Sequence, residues 1–495
     1  MRQRAISILL LLSALLAPSL ARSGEERFDP PLAGSHLGVA VEDSDDGPRV
    51  TSVLKGAAAE MAGVLEGDIV LRLAKARLAG RSTSDLQEAL QATEPWSSVE
   101  LDVRRGDTVL SLAVVPDPIL IRDTYTIAQH LEAHPLFRRH PLASTRLARL
   151  GEDLRDAVRA HRSSHAAHEA LNDVLGRLGI SHTAIIPAWS YVVLLSGGHD
   201  GGDRQHLGFT FQRLEMAGGP RYFARDVMPR GPAERAGLLA GDEVVSINGV
   251  ETAVSPRRAL AGYESPRGIY AVVVDKDETV RIGCRRSGGG DLTTADMTAN
   301  VPLSSLRATR MSARLLESAA GPLGYVHLWD LLPAKVVPLF DEILKDVLGS
   351  AKGLVIDLRG RGGQATVIVE ISKRIRADGR PAVLLIDRET RSAKEVLASI
   401  LKAAGFTLVG ERTAGAVRAS GYMLLSTGAR FMVPLSSARQ VLQLTDGRDF
   451  EGSGVEPDLP VKFALPYAAG ADPILERAVR DLEDRILARP RRRSL

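Results

Sequence analysis

The chain of 495 residues carries one cysteine, Cys284. A single thiol excludes an intrachain disulfide framework and any thiolate metal cluster supplied by one chain. Stability must therefore come from buried cores, and Cys284, inside the strand-like run TVRIGCRR, reads as a buried structural residue rather than a nucleophile. Charge of one sign is also missing: 63 Lys and Arg face 60 Asp and Glu, and the net +3 falls to +1 without Arg2 and Arg4. A nucleic-acid partner is not implied, and the basic end over residues 489–495 reads as a solvated tail. No HExxH-type carboxylate accompanies His161, His165 and His168. Their helical offsets could place them on one face as metal ligands, but a solvated face is the expectation. No metal and no organic cofactor is expected. Beyond the N-terminal segment no apolar run approaches the roughly 18 residues of a membrane span, so the mature chain should contain none.

What is present begins with Arg2 and Arg4, an apolar run from Ile6 to Ala17, and the small residues Ser19 and Ala21. This is the pattern of a secretory signal peptide over residues 1–21, cut near Ala21, and it predicts an exported protein, periplasmic or secreted. The remaining composition, 44% hydrophobic and 25% charged, is globular and long enough for about three or four domains. Two copies of one module stand out: SHLGVAVE with KGAAAEMAGVLEGDIVLRLAKARLAG, and QHLGFTFQ with PRGPAERAGLLAGDEVVSINGV. Each reads as a strand, a loop, a strand, a short helix beginning near Ala57 or Pro232, and a turn at Gly67-Asp68 or Gly241-Asp242. Both resemble PDZ domains, over residues 35–116 and 205–286, and the second is the closer match. The resemblance implies that His36, Leu37, Gly38 and Val39, and likewise His206, Leu207, Gly208 and Phe209, offer backbone amides to a peptide carboxylate while the peptide adds as a strand. A rigid spacer that binds no terminus is the plainer alternative for either copy.

Between the copies, residues 124–190 are rich in helix formers with apolar residues at helical spacing, and read as a small helical domain. Over residues 304–488 strand-like and helix-like runs alternate, the signature of an α/β unit with a largely parallel sheet, whose ligands would bind beyond the carboxyl ends of the strands. Ser392 follows one such strand, Ala382 to Ile386, and opens a helical pattern. That is a natural seat for a nucleophile. With Glu395 it is equally a capping box that needs no chemistry.

A serine hydroxyl is a weak nucleophile near neutral pH and needs a base, a group to orient the base, and donors for the developing oxyanion. Three segments bear on this. Gly179-Ile180-Ser181-His182-Thr183 closes the helical region, Ser392 is followed by Ala-Lys-Glu, and Glu451 precedes Gly454-Val455-Glu456-Pro457-Asp458. Together with Glu411-Arg412-Thr413-Ala414-Gly415 they resemble the tail-specific, C-terminal processing and tricorn-type serine peptidases, over roughly residues 124–488 with a PDZ insertion. Ala416 stands where the Ser-Lys branch carries its lysine, so the resemblance is closer to the tricorn-type Ser-His branch.

The resemblance implies a multidomain fold: an α/β peptidase domain of the ClpP/crotonase-like class, a small helical domain and two PDZ-like β-sandwich or barrel modules. It implies Ser392 as nucleophile and His182 as its base, a task suited to imidazole because its pKa lies near the operating pH. Ser181 and Glu451 complete the implied tetrad, in an order that the sequence leaves open. The segment Asp357 to Gln364 is similar to the family's glycine turn, with Arg361 at the asparagine position and Gln364 at the last glycine. Gly362, Gly363 and Ala393 are the implied oxyanion amides. The implied reaction is peptide-bond hydrolysis through an acyl-enzyme. Its implied partners are unfolded or extended polypeptides met through free C-termini, with a homo-oligomer as an option. The altered turn and the missing lysine motivate the alternative, a catalytically inactive secreted PDZ scaffold that binds peptide C-termini.

Overall fold

A computed structural model describes residues 28–32, 34–190, 204–261, 268–300, 303–360, 362–435 and 437–488. The expected leader over residues 1–21, the tail over 489–495 and Arg361 lie outside the described residues. Among the described residues no helix is long and apolar enough to cross a membrane.

The first repeat is an antiparallel sheet of β1 (Val39–Glu42), β2 (Arg49–Val53), β3 (Ile69–Leu73), β4 (Val99–Arg105) and β5 (Thr108–Val114), side by side in that order. Between β3 and β4 the helix α1 (Thr83–Ala92) opens on a capping box of Ser82 with Asp85. Its Thr83 amide donates to Asp43 Oδ1, just past β1, at 2.6 Å. Among the described residues β1 is therefore an open edge with a helix at its end. The three long helices that follow are α2 (Leu120–Ala133), α3 (Pro141–Arg159) and α4 (Ser164–Gly176). Apolar stripes such as Leu147, Leu150, Leu154 and Val158 turn them onto one core. The short strand β6 (Ala184–Ile186) leaves this unit.

The second repeat contains β7 (Arg204–Met216), β8 (Gly219–Val227), β9 (Glu243–Ile247), β10 (Arg258–Leu260), β11 (Ile269–Asp275), β12 (Thr279–Arg285) and β13 (Thr293–Thr298). Its order is β10-β11-β7-β8-β9-β12-β13. The run β7-β8-β9-β12-β13 repeats the first module strand for strand. The difference lies where α1 would be: here the chain forms the pair β10 and β11, and β11 lies antiparallel on β7 with Gln205 opposite Val274 and Phe211 opposite Tyr270. The cause is local. Ile-Tyr-Ala-Val-Val-Val is β-branched and aromatic and is buried throughout, whereas Thr83–Ala92 is a capped run of helix formers. Cys284 lies buried in β12.

The outer face of this added pair is held by α4. Arg258, 7% exposed, donates to Glu169 Oε2 at 2.9 Å and to His165 Nε2 at 3.2 Å, with its guanidinium 4.4 Å from the centre of the Tyr270 ring. His165 stacks on Trp189, ring centres 5.0 Å apart, and His168 Nδ1 lies 2.6 Å from Ser164 O. The expectation of a solvated histidine face is thus corrected for His165 and His168, which are buried against a second domain.

The last unit is built on β14 (Arg314–Leu316), β15 (Leu323–His327), β16 (Leu354–Asp357), β17 (Ala382–Ile386), β18 (Thr407–Gly410) and β21 (Leu459–Pro460) in that spatial order. All pairs are parallel except β14 with β15. Strands β16, β17 and β18 are buried at every position, as strands covered on both faces must be. The helices α5 (Ala365–Asp378) and α6 (Ala393–Ala403) pack on one face and α7 (Pro473–Ala488) on the other. Strands β19 (Ser420–Leu424) and β20 (Arg430–Pro434) form a separate small sheet, in which β20 pairs with β6 of the helical unit. A self-contained ClpP/crotonase-like unit over residues 304–488 is therefore not what forms, because its second sheet is completed by a strand that precedes the second module.

Candidate active site

The carboxyl ends of β16, β17 and β18 converge on one cavity of about 460 Å³, lined by Ser392, His182, Gly362 and Gly363 and backed by apolar side chains including Ile368, Val396 and Leu444. Ser392 stands on the turn from β17 to α6 with φ 56° and ψ −129°, a conformation that costs a non-glycine residue about 1–3 kcal/mol. The turn is over-determined by hydrogen bonds. Ser392 N is 2.9 Å from Ala416 O and 3.1 Å from Glu395 Oε2, and Glu395 N takes the Ser392 carbonyl at 2.9 Å. Ser392 and Glu395 form the capping box that opens α6, and Ser392 also lines the cavity.

Glu395 does more than cap. Its buried carboxylate accepts from Thr413 Oγ1 (2.6 Å), Gly415 N (2.7 Å) and Ala416 N (2.8 Å), which pins the loop after β18 onto the Ser392 turn. Burial pushes this carboxyl above its usual range despite those donors.

His182 enters from the helical unit, in the short segment that joins α4 to β6, with φ 59°. Its Nδ1 is 2.9 Å from Ser181 Oγ, and Ser181 Oγ donates to Glu451 Oε2 at 3.1 Å. Glu451 also accepts from Ser181 N (3.0 Å) and Val417 N (3.0 Å). The order of the chain is thus Glu451, Ser181, His182. Because the one hydroxyl proton of Ser181 goes to a carboxylate, its oxygen must accept from His182, which sets the Nδ1–H tautomer and makes Nε2 the basic nitrogen.

The two glycines of the turn after β16 are explained by contact. A Cβ on Gly362 would lie 2.6 Å from Ser392 Cβ, and one on Gly363 would lie 2.4 Å from Leu331 Cβ. The turn is bridged to the chain after β15 by Leu331 N to Gly362 O (3.2 Å) and Gln364 N to Leu331 O (3.1 Å), which leaves the Gly362, Gly363 and Ala393 amides without an acceptor among the described residues. Ser392 N, by contrast, is already engaged.

Ser392, His182, Ser181, Glu451, Gly362, Gly363 and Ala393 are therefore brought into one neighbourhood from four segments. The two expected peptide sites part company. His36 to Val39 lead into the open edge β1, but His206 to Phe209 lie on β7, whose outer edge is taken by β11. Leu207 and Phe209 are buried in the module core, and Gly208 N is bonded to His206 Nδ1 at 3.1 Å. The expectation that a peptide adds as a strand beside His206, Leu207, Gly208 and Phe209 is corrected on this geometry. A smaller cavity of about 70 Å³ between this module and the α/β unit, touched by Phe209, Arg225 and Trp329, has room for about two waters and no peptide.

Sequence reasoning missed Lys394, fully buried beside the Ser392 turn, and the buried charges behind it. Asp357 accepts from Tyr325 Oη (2.8 Å) and Arg359, Arg359 also pairs with Asp472 (2.7 Å), and Arg225 of the second module pairs with Asp387 (2.7 Å). Burial alone would raise the Asp357 carboxyl, but the Arg359 guanidinium holds it well below the carboxylate range.

Parts of the chain match known families. Residues 372–461 match the model of peptidase family S41, and residues 35–115 and 223–258 match PDZ domain models. The chain is 30% identical over 269 residues to a chloroplastic C-terminal processing peptidase of Tetradesmus obliquus, covering 47% of this chain and 54% of that protein. It is 24% identical over 271 residues to the carboxy-terminal processing protease CtpB of Bacillus subtilis, covering 49% and 52%. The chain thus spans about half the length of the curated relatives it matches. Among solved structures it is similar to a photosystem II D1 C-terminal processing protease (TM-score 0.42, 20% identity, 73% of this chain and 97% of that one) and to the tricorn protease (TM-score 0.39, 14%, 79% and 40%). At family level the match is to S41 peptidases of the C-terminal processing kind with PDZ domains, and this replaces the expected ClpP/crotonase-like class.

Proposed function

We propose that the chain is an exported serine peptidase that cleaves extended polypeptides through an acyl-enzyme on Ser392, with His182 as general base. The observation that carries this reading is the hydrogen-bonded series Glu451, Ser181, His182 opening on the cavity where Ser392 stands on a strained turn. As Ser392 Oγ attacks the scissile carbonyl carbon, its proton passes to His182 Nε2 and the carbonyl electron pair moves onto oxygen. The Gly362, Gly363 and Ala393 amides receive that oxyanion. Collapse breaks the C–N bond and His182 returns the proton to the leaving amine. Water then repeats the sequence on the acyl ester. Ser181 and Glu451 hold the imidazole in its tautomer and stabilise its charge. Ala416, whose methyl takes the place of a base, supports the histidine branch, and the PDZ-type modules supply substrate docking or gating. The domain limits that we adopt are a leader over 1–21, PDZ-like modules over 35–116 and 205–286, a helical domain over 124–190 and a peptidase domain over 304–488.

A fluorophosphonate probe is expected to label the wild-type chain and not Ser392→Ala. His182→Ala should lose casein turnover by about 10²- to 10⁴-fold, while Ala416→Lys should not improve it. Full turnover by a folded His182→Ala variant would refute the base assignment.

A further inference from the structure

Lys394 is a buried charged side chain that this chemistry leaves unused. It is 0% exposed and lies on the first turn of α6, directly after Ala393. A buried ammonium is costly unless its donors are satisfied. Here Nζ donates to Arg359 O at 3.0 Å and to Trp329 O at 3.3 Å. These carbonyls sit at the roots of the two strands of chain that form the glycine turn. Arg359 leads into Gly360, Gly362 and Gly363, and Trp329 leads into Leu331, which is bridged to Gly363. One side chain thus ties both roots to the helix that carries Ser392 and the Ala393 amide.

We propose that Lys394 is a positioning residue that clamps the glycine turn against the start of α6, so that the Gly362, Gly363 and Ala393 amides converge on one point. The role in catalysis rests on the peptidase reading above, while the clamp itself does not. Lys394 is not a rival base. Its hydrogens are directed at carbonyls behind the turn, and it does not line the cavity that Ser392 and His182 share. The groups that face it are Asp330 from the segment after β15, His327 at the end of β15, Asp357 and Arg359 at the end of β16, Asp387 after β17 and Asp226 of the second module. Burial lowers the ammonium to about 8, and the carboxylates of Asp330, Asp357, Asp387 and Asp226 resist that fall. His327 Nε2 lies 3.1 Å from the same Arg359 carbonyl, and burial lowers its pKa too, which keeps it a neutral second donor. The clamp is therefore charged and tight at neutral pH and loosens as Lys394 loses its proton in mildly alkaline solution.

The test is Lys394→Met, which keeps the apolar stem and removes the donors. In a Ser392→Ala background, hydrogen exchange at the Leu331 and Gln364 amides, the two that close the bridge, is expected to quicken at least tenfold in Lys394→Met. With Ser392 intact, kcat should fall about 10- to 100-fold with KM within twofold, and the alkaline limb of the wild-type kcat profile near pH 8 should disappear. Unchanged exchange at both amides in a folded Lys394→Met protein overturns the clamp, whatever the turnover. Quickened exchange in Lys394→Met, together with a wild-type chain that neither turns over casein nor takes the probe, supports the clamp and sinks the peptidase reading instead. If Lys394→Met does not fold, Lys394→Leu, which also lacks the donors, is read in the same way: quickened exchange at these amides supports the clamp and unchanged exchange overturns it.

Discussion

At the scale of single residues, the relay is a matter of who donates to whom. Glu451 has three donors, Ser181 N, Ser181 Oγ and Val417 N, and all of them need an acceptor. An amide at that position can accept at one atom only. Glu451→Gln should therefore turn the Ser181 hydroxyl and let the imidazole lose its Nδ1–H tautomer, at little cost in volume. We expect kcat to fall by about 10²–10⁴, in line with orienting carboxylates of other triads, with KM nearly constant and the melting temperature moved by only a few degrees. Steady-state kinetics beside a thermal melt checks this, and a KM effect alone would count against an orienting role. As members of the candidate site, Ser181, His182, Ser392 and Glu451 stand out in the sequence because each sits in a short local pattern. Lys394 does not, because Ser-Ala-Lys-Glu reads as a capped, solvated helix start, and the burial of a lysine depends on what the fold lays over it.

At the scale of elements, the two modules separate what sequence similarity joined. The strands of the second copy are legible from the first, and its closer motif match reflects a shared frame. The hairpin of β10 and β11 was hidden because it occupies a helix position in the repeat, and only the buried run Ile269 to Val274 signals a strand there. Since β-strand addition needs an unpaired edge, an extended peptide with an apolar C-terminal residue and a free carboxylate should protect backbone amides of residues 37–42 from exchange. Residues 206–212, whose outer edge β11 covers at His206 and at Thr210 to Gln212, should not respond. Mass spectrometry of the whole chain with the peptide and with its amidated form reads both regions at once. Protection at 206–212 would mean that β11 yields its place to the peptide.

At the scale of the molecule, the units meet along polar seams that the sequence could not announce, because each seam joins residues far apart in the chain. Arg225 with Asp387 fastens the second module to the α/β unit, and Arg258 with Glu169 fastens it to the helices. Asp123 accepts from Ser426 and Thr427 to hold the helices to the small sheet. Histidines are built into the same regions as neutral groups: burial lowers His168 and His36 to about 4. The unfolded chain takes up those protons near pH 6.5, whereas the folded chain refuses them until about pH 4, so between these values the unfolded state binds more protons and stability falls as pH falls. Depressed carboxylates act lower: the stability that Asp357 and Glu169 supply is present above their unfolded values near 4 and is lost only below them. A melt series from pH 7 to 4.5 lies mostly above the titration of those carboxylates and reads chiefly the histidines, against the raised Glu395, which acts in the opposite sense. The melting temperature should decline steadily across that window, His168 contributing roughly 2–3 kcal/mol of the loss at its acid end. His168→Gln, which can still donate to Ser164 O but takes up no proton, should give a shallower decline. An identical slope in the variant would show that the helical unit tolerates a charged His168 and that the acid sensitivity arises elsewhere.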